Sequence, residues 1–562
     1  MKRSLFFLSL LFTFVTASYA QTKYDQSESL LKNKQYKEAL DAIQVILNAD
    51  PKDERAWYLS AKAHYELGQL DQAEEAAKKA IELNSQLFDA YVVLSDVQLS
   101  KQKPIDAYNT VMEGIKQLKK KTFPLFSLQL GKVYLQLDSA TAALVSFTKY
   151  AEDCPNDYRG YEGKGDAYAL ENLNPLAIAQ YEKALEIDSA QTGVLLKLAR
   201  TLVKERQYTE AGKVYNRILQ LEPENSKARL ELAELFYKAK MWGHCAATLK
   251  DYIEREKNPS QDVQNMYLEA LYNGKYYKEA LSVAETMAKK NIKNPIVLRA
   301  LGKGYIDQKQ YQKSIDAYLA LQKTDTLKVD DYRWLGYSYR QLKKDSLAVN
   351  ALLEALSIDS TDSDLLGDIG AIYMNMRKWD RAAYYLERRV QIDTAAIAGY
   401  INLASCLMQL EQYDKAITYL LKAVELNPNY PPTYVNIGFC YSGKKEFIES
   451  RKWFEKTISV IDTAQFRYRL QLADAYKMIG LSYLVDKPNP DNPKKKWEDG
   501  ALYLEKALQY KEDDAMSHVW LGQAYQNLQK KELALKHYRR ALKLDPKNLE
   551  AQKGVKVLEG TE

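Results

Sequence analysis

Four histidines, four cysteines and two glycine-rich stretches are the residues whose types could support chemistry in this 562-residue chain. His64, His244, His518 and His537 are scattered and show no metal-ligand spacing, so they read as surface or packing residues. The glycine pairs of "EGKGDAY" and "LGKGYID" look superficially like phosphate-binding loops. No Ser or Thr follows Lys164 or Lys303, however, and Gly165 and Gly302 fall inside helical patterns. No GxSxG, HExxH or P-loop pattern occurs. Carboxylates are plentiful, but they follow helix-surface spacing and none stands out as a general acid or base. The sequence therefore predicts no catalytic residues, no metal site and no cofactor, and the expectation is that the chain is not an enzyme.

The elements that carry these residues are ordered and mostly helical. With 46% hydrophobic and 27% charged residues the chain is not of disordered composition. Its formal charge of +6 is spread over alternating Lys and Glu, which predicts solvated helix faces and no nucleic-acid partner. The first twenty residues differ: Lys2 and Arg3 precede the apolar run Leu5 to Val15, and Ser18-Tyr19-Ala20 supplies small residues at cleavage positions. This predicts a secretory signal peptide over 1–20. The apolar run is shorter than the ~20 residues of a spanning helix, and no later segment is long and apolar enough. With no cysteine near the cleavage site, the expectation is an exported protein without a lipid anchor. A periplasmic location is favoured, with secretion or outer-membrane association as alternatives.

A repeat fills the rest. "AWYLSAKAHYELGQLDQAEEAAKKAIELN", Ala56 to Asn84, places Ala61, Ala73 and Ala80 where two amphipathic helices must touch, with Gly68 and Gln69 at the turn. Following the equivalent of Ala73 gives Ala39, Ala73, Ala107, Ala143, Ala177, Ala211, Cys245, Ala280, Ser314, Ala348, Ala382, Ala416, Ser450, Gly500 and Ala534. Eleven of the fourteen intervals are 34 residues, and the others are 36, 35 and 50. Numbering each unit so that these residues take position 20, positions 4, 7, 8 and 11 of the first helix and 20, 24 and 27 of the second form facing stripes. No unit can bury its stripes alone, so stability is shared between neighbours.

The pattern resembles the tetratricopeptide repeat family. Leu521, Gly522, Tyr525, Ala534, Tyr538, Ala541 and Pro546 carry the resemblance in the last unit, and Leu198, Ala199, Leu202, Ala211, Tyr215, Ile218 and Pro223 carry it in the sixth. The resemblance implies an all-α fold, a right-handed α-solenoid superhelix of about fifteen helix-turn-helix units over residues 22–548. Residues 549–562 read as a capping helix, because Lys556 falls at position 8, where a small residue is needed. An insertion near 486–496 lies in the turn of unit fourteen: twenty residues run from Gly480 to Gly500 where other units use twelve. Pro488, Pro490 and Pro493 are expected to keep it non-helical, Lys494 to Lys496 to keep it solvated, and Trp497 to restart the second helix as a core residue. Cys406 and Cys440 occupy the same position in adjacent units, too far apart for a disulfide, so free, packed thiols are expected.

The family architecture implies that positions 2, 5, 9, 12 and 13 of each first helix, with 6 at the edge, line a concave face. In units nine and ten these include Arg299, Lys303, Arg333, Tyr337 and Arg340. In units eleven to fourteen they become Met374, Ile401, Met408, Val435, Phe439, Leu481 and Leu484, with Asn402 and Asn436 at position 6. A basic patch leading into an apolar groove suits an extended peptide segment, its acidic group toward Arg333 and its apolar side chains toward Phe439. No Lys-xxx-Asn pair fills positions 5 and 9, so the family's carboxylate clamp is missing. The alternative is that Asp307 and Asp330 neutralise the arginines and that Met and Phe pack between helices. The functional expectation is an exported protein- or peptide-binding scaffold in envelope assembly, export or surface organisation. Alternatives are a non-catalytic subunit of a carbohydrate-handling or glycosyltransferase complex, or a structural spacer.

Overall fold

The computed structural model describes residues 23–118, 123–461, 466–487 and 490–560, so the expected signal peptide lies outside the described residues. They divide into two compact bodies, up to Tyr276 and from Tyr277 onward, with the division in the turn of repeat eight. Each body is an all-α solenoid of helical hairpins. In the first body, hairpins such as Glu54–Glu66 with Leu70–Leu83 and Thr192–Lys204 with Tyr208–Leu221 pack in sequence order. In the second body, Ser363–Asn375 with Trp379–Ile392 and Ile397–Gln409 with Tyr413–Leu426 do the same.

The hairpin is set by one local device. In fourteen of the fifteen repeats the residue at position 15 has a positive φ, from Lys34 at 60° to Gln529 at 62°, and only Gly68 among them is glycine. The left-handed residue ends the first helix, and the next amide closes back onto the helix, as Gln207 N to Leu202 O (2.9 Å) and Lys378 N to Tyr373 O (2.9 Å) show. The second helix then starts antiparallel to the first. Entry into the next repeat is fixed by an acceptor at the N-cap: Asp157, Asn225, Asp362, Asp514 and Asn548 each accept a backbone N–H from the helix they open.

Packing within a hairpin follows the small-residue stripe. A Cβ at Gly165 would lie 2.4 Å from the Tyr181 ring, and one at Gly522 would lie 2.8 Å from Tyr538. The position-24 ring therefore sits directly on the position-8 backbone, and both tyrosines are buried. Across repeats, the first helices of neighbours also touch one another, as Ile397–Gln409 touches Pro431–Gly443. Within each body the first helices thus line the inner face.

Repeat fourteen departs from the pattern at both ends of its first helix. Its interval of 50 holds sixteen extra residues. Eight precede the regular first helix: a 3₁₀ turn at Phe466–Tyr468 leads into a helix that starts early, Arg469–Val485. The other eight lie in the hairpin turn, where the second helix begins at Lys495, two residues before Trp497. Lys496 is not simply solvated: its Nζ donates to the carbonyls of Leu484 (3.3 Å) and Asp486 (2.9 Å) and lies 4.6 Å over the Trp497 ring. A lysine thus caps the first helix in the repeat whose position 15, Lys495, already belongs to the second helix. Trp497 packs against the C-terminal core, and the closing helix Leu549–Glu559 lays Val555 and Leu558 on the last hairpin.

Candidate groove on the inner face of the second body

Repeats nine and ten place a basic cluster on the inner face, and most of its charge is paired within the chain. Arg299 donates from Nε to Asp331 (2.9 Å) and from Nη2 to Asp325 (3.0 Å). Lys303 is buried, bonds Asp307 at 3.0 Å and sits 4.1 Å over the Trp334 ring and 4.7 Å over Tyr277. Arg333 pairs with Asp362, the N-cap of the next first helix. The neutralising partners are therefore Asp325, Asp331 and Asp362; of the expected pair, Asp307 serves Lys303, and Asp330 takes no arginine among the described residues. Tyr337 is exposed, edge-on to Tyr311 and Trp334. Arg340 is exposed and makes no ion pair among the described residues.

Beyond it the inner face loses its charge. Over repeats twelve and thirteen it presents Ile401, Asn402, Ser405, Met408, Asn436, Phe439 and Ser442, all partly exposed. Ile401 and Met408 lean on the large core that runs from Ala348 to Cys440, and Phe439 stands edge-on to buried Phe454 at 5.3 Å. Two residues expected in the groove belong to the core instead. Val435 is buried beside Phe454, and Leu484 is buried against Gly500, where an added Cβ would lie 2.4 Å from Leu484 Cδ2. Leu484 turns inward because Gly500 fills the small-residue position and leaves a hole for it. The floor is thus narrower and more polar than the sequence suggested, with amide and hydroxyl groups between Met, Ile and Phe. Elsewhere the inner face is laced by ion pairs between neighbouring first helices, as Lys132 with Asp96 (3.0 Å) and Arg200 with Glu231 (2.5 Å) show in the first body.

Two groups at the head of this floor carried no sequence signal. Asp368 is partly buried, and burial raises its carboxyl pKa against the opposing fields of Arg333, Arg340 and Arg389. Arg389 occupies position 27, where the neighbouring repeats ten and twelve hold Ala355 and Ala423. A Cβ at Gly367 would lie 2.3 Å from Arg389 Nη1, so the guanidinium occupies the space of a missing inner-face side chain.

At the far end of the second body the structure brings two of the scattered histidines together. His518 Nδ1 and His537 Nδ1 are 3.0 Å apart, and His518 Nε2 lies 3.0 Å from the Glu512 carbonyl. That carbonyl can only accept, so His518 carries its proton on Nε2, its Nδ1 accepts, and His537 Nδ1 donates. A cavity of about 650 Å³ adjoins the pair, lined by Glu505, Glu532, Lys536 and Arg540 among others. No group of three or more metal-ligating side chains occurs among the described residues.

Hairpins of this length with a left-handed joint and a ring-on-backbone contact define an α-solenoid repeat protein. Sequence models of the tetratricopeptide repeat match residues 30–115, 202–267, 332–362, 397–430 and 515–548, so the chain carries tetratricopeptide repeats. It is 26% identical over 205 residues to the TPR repeat-containing protein MJ1428 of Methanocaldococcus jannaschii; the match covers 36% of this chain and 32% of that protein. The chain thus spans about a third of the length of that curated relative. Among solved structures it is similar to the C-terminal part of a TPR repeat-containing protein of Cytophaga hutchinsonii, with 20% identity over 52% of this chain and 99% of that one at a TM-score of 0.36. It is also similar to MamA, with 26% identity over 32% of this chain and 95% of that one at a TM-score of 0.27.

Proposed function

We propose that this repeat protein is an exported scaffold that holds an extended segment of a partner protein along the inner face of repeats eleven to thirteen, in the assembly or organisation of the cell envelope. The family is suited to protein–protein interaction. The observation that carries the choice of face is the uncharged floor from Ile401 to Ser442, in a chain where 27% of residues are charged. Partly exposed Met408 and Phe439 offer apolar contacts, and the Asn402 and Asn436 amides, one repeat apart, can pair with a peptide backbone. Export rests on Lys2 and Arg3, the apolar run and the small residues before Gln21, which support a cleaved leader.

Phe439→Asp tests the reading. It puts a charge on the floor while Phe454 keeps the core filled, so the partner recovered by crosslinking in intact cells should be lost while helicity by circular dichroism is unchanged. Unaltered recovery with Phe439→Asp places binding on another face. Fractionation tests export: a chain that retains residues 1–20 and stays with cytoplasmic markers contradicts it.

A further inference from the structure

The guanidinium of Arg389 is the least expected feature of the inner face. It rises from the second helix of repeat eleven, its Cδ 3.6 Å from where a Cβ of Gly399 would stand, and ends over Gly367. Its Nε is buried without a hydrogen-bond partner among the described residues, and so is the Nε of Arg333. Arg389 makes no ion pair among the described residues, nor does Arg340, and Asp368 accepts no hydrogen bond there despite having three arginines in its field. With Arg333 held by Asp362, the guanidiniums of Arg340 and Arg389 remain without ion pairs among the described residues, in the field of Asp368, which Asp364 shares, at the head of the uncharged floor.

We propose that Arg340 and Arg389, beside Asp368, form the receptor for a single acidic side chain, Asp or Glu, of the segment bound along repeats twelve and thirteen. The inference rests on the groove reading above and adds its charge requirement. Two guanidiniums without ion pairs offer paired N–H donors that suit one planar carboxylate, whereas Asp364 and Asp368 close by leave no excess charge for a phosphate dianion. Gly367 is part of the receptor because any side chain there would displace Arg389. Asp368 limits the affinity, since it competes for the same guanidiniums.

Random linear peptides displayed on phage and selected on the full chain provide the probe, followed by synthetic copies of a selected peptide and of its Glu→Gln or Asp→Asn counterpart. The expected result is a selected set that requires Phe439 and carries one acidic residue at a fixed distance from its apolar residues. Arg340→Gln and Arg389→Met should each weaken the acidic peptide about tenfold and leave the neutral counterpart unchanged. Asp368→Asn should tighten the acidic peptide, an effect opposite in sign to the loss a merely structural role would give. Gly367→Ala should act like Arg389→Met. Selected peptides that need Phe439 but no acid overturn this inference and leave the groove standing. An acid requirement untouched by Arg340→Gln, Arg389→Met and Asp368→Asn also overturns it. Failure to select any peptide that needs Phe439 removes the groove and the receptor together.

Discussion

Burial pushes the thiols of Cys245, Cys406 and Cys440 up to about 12, because a thiolate among packed helices has no solvent and no cation to stabilise it. Under native conditions a thiol reagent should therefore reach Cys154 alone, and mass spectrometry should find no Cys406–Cys440 bridge; labelling of all four without denaturant would contradict the packing. The histidine pair gives a pH dependence. Burial, His518 and Lys536 lower His537 to about 4, and burial also lowers His518. The folded state resists protons that the unfolded chain accepts near 6.5, so their contribution is intact above that pH and declines as pH falls toward about 4. Amide exchange in the last hairpin should accelerate over that window relative to the hairpins before it, and His537→Phe should flatten the change. A protection profile with the same pH dependence in every hairpin would count against the assignment. The pair carries no metal-motif signal, since His518 and His537 lie nineteen residues apart in sequence. In the repeat frame His518 holds position 4 and His537 position 23, where Tyr434 with Trp453 and Tyr400 with Tyr419 also meet. His518 donates to the carbonyl six residues earlier, as Trp57 does to Pro51 and Tyr434 to Pro428. Arg389 was invisible for another reason: its reach depends on glycines at 367 and 399, and nothing in a 34-residue period couples those three positions.

Hairpin geometry was legible in the sequence because the small residues that permit close approach and the rings that fill the space recur at fixed positions. The joint between the helices was barely legible, since the Lys, Arg and Gln at most position-15 sites give no left-handed signal, and only Gly68, Asn172 and Asp138 are types that favour it. A left-handed non-glycine residue costs about 1 kcal/mol. Lys343→Gly should therefore relieve that strain and slow amide exchange in the flanking helices Val329–Gln341 and Asp345–Ile358, whereas Lys343→Val should speed it. Equal effects from both substitutions would show that the turn tolerates any backbone. In repeat fourteen a lysine on two carbonyls holds the end of the first helix. Lys496→Met should cost about 1 kcal/mol locally, seen as fraying at Leu484 and Val485. Replacing Lys487 to Lys496 by a neighbouring turn would restore the common joint. If that replacement keeps protection at Leu484 but loses the partner, the insertion belongs to the binding surface.

In a repeat array most of the inner face is committed to itself: carboxylates and bases of adjacent first helices zip together, and the basic cluster of repeats nine and ten follows that rule. The floor of repeats eleven to thirteen breaks it, and the account of function stands on that break. The most direct test is a photo-reactive amino acid placed in the full chain at Ser405, on the floor, and separately at Tyr384, exposed on the second helix of repeat eleven. In intact cells the probe at Ser405 should crosslink a discrete protein that is absent from the Tyr384 probe and disappears with Phe439→Asp. A discrete partner captured from Tyr384 and not from Ser405, or one captured from Ser405 regardless of Phe439→Asp, would contradict recognition through this groove.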